Sequence, residues 1–348
     1  MSGVTSIVVV GAAAIDEWYA VSNLPEPDGG AFASEVTTAF GGVGANVSVA
    51  LDRLGRDVRL VSRVGDDEYG RRAREYLAET DVDASRVSVG DDPSTRSVVL
   101  SAPDGERAIV TTGESFRELR LDSADREAIV AADVVFVTGY TPDAVSRRLL
   151  ALVAATADPP ALVFDLSGPV EEMVGRGTEP ATVHRFLHAA DLLVAGDVAA
   201  AAYFGGSTAA IERIAAAQRA RADAARGDGS GGSRDATDGW PRAVLTHGAD
   251  GVTVLADGDS RRFEAFDVDV VDATGAGDAF VAGLIDQWLA GEGGGVGTGA
   301  GVDATGSEDI AEGARFAAAV AAINCTERSA QGGLPTREAV ERFLSERE

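Results

Sequence analysis

The chain has 348 residues, 45% of them apolar, with 56 acidic side chains against 30 basic ones and a net charge of -26. It contains no lysine, so all 30 cations are arginines, which excludes a P-loop kinase with its phosphate-gripping Lys and any enzyme that forms a Schiff base on a Lys amine. So anionic a surface repels phosphate backbones, which argues against a nucleic-acid partner.

The start, Met1-Ser2-Gly3-Val4-Thr5-Ser6, lacks the basic residues of a secretory signal and runs straight into the strand-like Ile7–Val10. No apolar run approaches the roughly 18 residues that cross a bilayer, so a cytoplasmic protein with no membrane partner is expected. Short β-branched runs follow at Val58–Val61, Asp133–Val137, Ala161–Phe164, Leu192–Val194 and Ala243–Leu245, and these read as buried strands. Between them lie amphipathic stretches of helical length, such as Ala45–Leu54, ended by Gly55, and Glu68–Glu79. The alternation predicts an α/β fold over residues 1–348, a doubly wound and mostly parallel sheet with helices on both faces.

Two intervals break the rhythm. Residues 16–40 and 93–115 hold alternating segments without helices, with Pro25, Pro27, Pro93 and Pro103 marking turns, and they predict short antiparallel strands inserted as a lid. Residues 227–239 and 291–306 are rich in Gly, Ser and Asp and predict mobile surface loops. The single cysteine, Cys325, excludes an internal disulfide. His184 and His188 share a helical face, but no third ligand accompanies them as zinc would require.

The most informative segment runs from Asp272 to Leu284, after a strand-like Phe266–Val271 and into a helix reaching about Leu289. Small residues at Gly275, Ala276 and Gly277 let backbone N–H groups converge at the helix entrance, where the dipole also favours negative charge. Such an anion hole suits a phosphoryl group in flight. Asp278, in the first helical turn, is placed to accept the proton of an attacking alcohol, although its reference pKa near 3.9 makes it a weak base. A second glycine turn, Phe40-Gly41-Gly42-Val43-Gly44-Ala45-Asn46, also leads into a helix, and Asn46 offers both a donor and an acceptor to a ligand. Its spacing does not fit a dinucleotide fingerprint, which argues against a nicotinamide enzyme.

Together the two segments resemble the signatures of the ribokinase-like (PfkB) carbohydrate kinases. The resemblance extends through Gly11–Asp16, Val64–Gly70, Thr246–Gly251 and Gly332–Pro335, in the family's order and over almost the whole chain. It implies an ATP-dependent kinase of a small sugar, with a nucleoside kinase or a non-catalytic sugar or nucleotide sensor as alternatives. It also implies Asp278 as catalytic base, with Gly275, Ala276 and Gly277 as its anion hole. Asp16, Gly42 and Asn46 would hold the acceptor's hydroxyls. Thr246, Gly248 and Gly251 would lie beneath the nucleotide, with Asn324 at the adenine edge. Magnesium would ride on the ATP phosphates, and potassium is implied near Asp272, as in some members. Members often dimerise by pairing lids, so a homodimer is implied too. One departure stands out: Gly196 and Ala199 occupy positions where the family usually has an Asn and a Glu that help to order metal and phosphates. The charge also predicts a salt-rich cell, because self-repulsion is screened over about 3 Å at 1 M salt against about 10 Å at 0.1 M.

Overall fold

The computed structural model describes residues 5–104, 106–227, 240–289 and 307–347. The predicted mobile loops at 227–239 and 291–306 lie outside these residues, apart from Gly227, which ends a helix.

The first half lays down β1 (Ser6–Val10), β2 (Ala14–Val21), β3 (Ala33–Gly41), α1 (Val43–Arg53), β4 (Asp57–Gly65), α2 (Glu68–Leu77), β5 (Asp83–Gly90), β6 (Arg96–Ser101) and β7 (Arg107–Thr112). The middle continues with α3 (Ser123–Ala131), β8 (Val134–Thr138), α4 (Asp143–Ala155), β9 (Ala161–Asp165), α5 (Val170–Met173), α6 (Pro180–Ala189), β10 (Leu192–Gly196), α7 (Asp197–Phe204) and α8 (Ser207–Gly227). The chain closes with β11 (Arg242–Thr246), β12 (Val252–Ala256), β13 (Asp259–Phe263), α9 (Ala276–Leu284), α10 (Ser307–Asn324) and α11 (Arg337–Ser345), and a π-helical turn, Ile285–Leu289, extends α9.

Nine strands form the main sheet in the order β13-β12-β11-β10-β9-β8-β1-β4-β5, parallel throughout except for the antiparallel edge made by β12 and β13. Consecutive side chains of a strand face opposite ways, so both faces must be covered. In β1, Ile7 and Val9 enter the core shared with α1, α9 and α10, whereas Val8 and Val10 enter the core shared with α4 and α6. This explains why the strands read as unbroken apolar runs, as in the fully buried Val134–Thr138.

The two intervals expected to form a lid make a separate four-stranded sheet, ordered β3-β2-β6-β7. Its strands pair antiparallel within each insertion, but the central β2 and β6 run parallel, which corrects the wholly antiparallel expectation. Two hairpins contributed by separate insertions meet side by side, so their inner strands need not run in opposite directions. A second difference lies at Phe266–Val271, which is not a strand although Phe266, Val268 and Val270 alternate. The segment lies beyond the edge strand β13 and takes other partners. Phe266 packs edge-on against Phe343, and the Val271 and Asp272 amides donate to the Cys325 carbonyl at the end of α10.

Candidate active site

Helices α1 and α9 pack side by side with their N-termini at the same end, beneath the lid, and this brings Asn46 and Asp278 together from 232 residues apart. Asn46 Nδ2 donates to Asp278 Oδ2 over 2.7 Å, while Gln331 Nε2 donates to Asn46 Oδ1 over 2.7 Å. Gln331 therefore sets which end of the Asn46 amide faces the carboxylate. Sequence reasoning missed Gln331, although it directly precedes the Gly332–Pro335 match. Asn46 and Gln331 are buried, and the relay ends at Gln331 Oε1, which has no partner among the described residues.

Asp16 stands on β2, against the glycine turn. A Cβ on Gly41 would sit 2.0 Å from Asp16 Oδ2, so only glycine leaves room for this carboxylate. Gly42, at φ 92°, is the N-cap of α1 and turns the chain into that helix. At the facing entrance Gly275 adopts φ 75°, and a Cβ there would press on Ala330 at 2.5 Å. No side chain caps this end of α9, and the first-turn amides of a helix have no partner within it, although the Ala276 amide here donates to the Ala273 carbonyl over 3.2 Å. Gly277 is exposed with open space where a Cβ would project, so the entrance is accessible.

The electrostatics make Asp278 a better base than its residue type suggests. Burial pushes its carboxyl up to about 7; the Asn46 hydrogen bond opposes this, while the charges of Asp165 and Asp16 add to it. Asp16 is also raised, chiefly by burial, against a hydrogen bond from Ser97. Asp165, pushed up to about 6 by burial, was not singled out from the sequence. Its position at the carboxyl end of β9, the edge where open α/β sheets bind ligands, is the signal that could have found it. Ser167, at φ 60°, donates its amide and hydroxyl to the Asp165 carboxylate, and its hydroxyl also meets Thr138 Oγ1 at 2.7 Å.

Thr246, Gly248 and Gly251 form a turn at the end of β11, next to Gly196, which pairs with Thr246 across β10. His247 ties this turn down: Nδ1 lies 2.6 Å from Asp197 Oδ1 and Nε2 lies 2.9 Å from Thr253 Oγ1. Asp197 also accepts from the Ser207 hydroxyl at the same Oδ1, so one of its carboxylate oxygens is engaged at α7 and α8. Ala199 is buried in the core.

Asn324 and Asp272 sit in settings that the sequence does not reveal. Asn324 is fully buried; its Nδ2 donates to the Ala330 and Thr274 carbonyls and braces the loop behind the anion hole, while its Oδ1 has no partner among the described residues. Asp272 Oδ1 accepts from the Thr274 amide and hydroxyl, and Oδ2 accepts from the Ser329 amide. With the Arg107 guanidinium 3.8 Å away, Asp272 anchors a turn, and this donor-filled surrounding does not fit a monovalent cation. Nor does any group of three or more His, Cys, Asp or Glu among the described residues form a metal cage. Magnesium often keeps waters and binds through substrate phosphates with few protein ligands, so its place here is with the nucleotide.

Residues 4–223 and 236–337 match the model of the pfkB family carbohydrate kinases. The chain belongs to this family. It is 30% identical to the ATP-dependent ribose-1-phosphate kinase of Halopiger xanaduensis over 335 residues, 94% of either chain. It is 26% identical to the nucleoside kinase of Methanothermobacter thermautotrophicus, covering 99% of this chain and 98% of the relative. The fold matches Arabidopsis thaliana ribokinase complexed with ribose and ATP, with a TM-score of 0.73 at 22% identity over 98% of this chain and 99% of that one. As a pfkB kinase, the chain is a phosphotransferase that acts on an alcohol group of a sugar or nucleoside.

Proposed function

We propose that this pfkB kinase transfers the γ-phosphoryl group of ATP to a hydroxyl of a pentose-like acceptor, with Asp278 taking the hydroxyl proton. The observation that carries this reading is the Gln331–Asn46–Asp278 relay ending beside an open, uncapped helix entrance. Asp16 and Asn46 hold the acceptor's hydroxyls. Gln331 fixes the Asn46 amide so that the Asp278 carboxylate keeps one position. The amides of Gly275, Ala276 and Gly277 receive the charge that grows on the phosphoryl oxygens. With a pKa of about 7, Asp278 is half ionised near neutrality and well matched to proton transfer there.

Nucleotide binds over the turn of Thr246, Gly248 and Gly251. Magnesium, bound to the phosphates, supplies charge neutralisation when present. The lid lies over the acceptor and keeps water, a competing phosphoryl acceptor, away from the site. No helix among the described residues is long and apolar enough to cross a membrane, in keeping with a cytoplasmic enzyme. The excess of 26 negative charges supports work at high salt. Phe32, just before β3, and Ile109, on β7, are exposed on the lid and support a homodimer formed through it.

The test is ADP release from ATP and magnesium in molar KCl across pentoses, pentose phosphates and nucleosides, with phosphorus NMR of the product. One acceptor phosphorylated at a single hydroxyl is expected. Nucleotide binding with no turnover over the whole panel would refute catalysis.

A further inference from the structure

The lid touches the catalytic half of the molecule from both of its outer strands. From β7, Arg107 Nη1 donates to Thr274 Oγ1 over 3.0 Å and stands 3.8 Å from Asp272 Oδ1. From β3, Glu35 lies 3.6 Å from Arg328, next to the Ser329 amide that Asp272 holds. Both contacts converge on the loops around Gly275. Arg107 is the more informative of the two, because its charge is poorly spent. Asp272 already accepts three hydrogen bonds within its own loops, and 3.8 Å is long for a paired guanidinium. The Nε and Nη2 groups of Arg107 have no partner among the described residues, and its side chain is 40% exposed. Arg96, the other lid arginine, is by contrast consumed by Glu17 and by the hydroxyl and ring face of Tyr69.

A guanidinium offers five N–H donors in a planar fork whose shape matches phosphate oxygens. Arg107 is thus a cation with donors to spare, delivered by the lid to within one residue of the anion hole, in a chain with no lysine to do the same. Resting on the kinase reading above, we propose that Arg107 binds a phosphate oxyanion at the helix entrance when the lid is closed, so that lid closure and charge neutralisation are one event. Two sources carry this oxyanion chemistry: the terminal phosphate of ATP, and a phosphate monoester already present on the acceptor sugar. In either case the Thr274 hydroxyl holds Nη1 and aims the remaining donors.

Calorimetric titration of wild type, Arg107→Ala and Arg107→Lys, all in the same molar KCl, tests this. In one arm ATP with magnesium is compared with AMP; in the other ribose 1-phosphate is compared with ribose. Loss of a charge-assisted, bidentate contact is worth about 10- to 100-fold in affinity. We expect Arg107→Ala to weaken ATP but not AMP if the oxyanion is the terminal phosphate, or the sugar phosphate but not the free sugar if it is the acceptor's. Arg107→Lys should recover part of the loss, because it restores charge but not the fork. Unchanged affinity for both ATP and the sugar phosphate in Arg107→Ala would overturn the proposal and leave the kinase reading intact. Wild-type protein that binds neither ATP nor AMP would overturn both. Equal losses for AMP and ATP would mark Arg107 as a structural brace and overturn the oxyanion role alone.

Discussion

Asp278→Asn should cost activity and add stability, and the added stability should depend on pH. In the folded chain the Asp278 carboxyl sits at about 7 against an ordinary 3.8, mainly through burial. A gap of about 3 units at about 1.4 kcal/mol each means that ionised Asp278 destabilises the fold by at most about 4 kcal/mol. The carboxylate is partly open to the cleft, so about 2 kcal/mol is a realistic expectation. The sign follows from a folded pKa above the unfolded one. The neutral acid's stability is fully present below about pH 3.8 and is lost progressively until the pH passes about 7. Asparagine never ionises, and its Oδ1 can still accept from Asn46. Thermal melts of the two proteins at constant KCl should therefore diverge as pH rises from 4 to 7 and run parallel above 8, with the variant several degrees more stable at pH 8.5. A variant that melts at or below wild type at pH 8.5 would show that Asp278 is not a buried, raised carboxyl.

Because Asp278 must be ionised to accept a proton, kcat/KM should climb through an apparent pKa near 7 and level off above it. Removing the opposing hydrogen bond in Asn46→Ala should move that limb to higher pH, and an unmoved limb would dissociate Asn46 from the base. Gln331→Met should lower kcat by about tenfold and the melting temperature by a few degrees, since it removes an Oε1 that is already without a partner but leaves the buried Asn46 Oδ1 without its donor. Gly41→Ala should raise the acceptor KM and spare ATP affinity, because its Cβ strikes Asp16 and not the nucleotide turn. Melting temperature should rise from 0.1 M to molar KCl as the net charge of -26 is screened; a flat response would remove the case for a salt-rich setting.

The main sheet was legible because parallel strands buried on both faces need unbroken apolar runs, and few other structures tolerate them. The two glycine turns were legible because close approach leaves no room for a Cβ, as Gly41 and Gly275 show. Three features could not be read in one dimension. The strand-like alternation at Phe266–Val271 carried the right pattern but lay beyond the sheet edge with no strand to pair with. The settings of Asn324 and Asp272 could not be read because burial and donor count are properties of the assembled loops. Asp272 accepts from neighbouring backbone and the Asn324 Nδ2 donates to neighbouring carbonyls, and neither contact is visible in the sequence. Gln331 and Asp165 escaped notice because their meaning depends on partners 285 and 113 residues away in sequence, Asn46 and Asp278.

Turnover by Asp278→Asn is the most direct measurement of the central claim. With ATP, magnesium and the acceptor that wild type phosphorylates, initial rates of ADP formation at pH 8 should fall by at least about 10²-fold while ATP affinity is kept. Turnover within a few fold of wild type would contradict a role for Asp278 as the base.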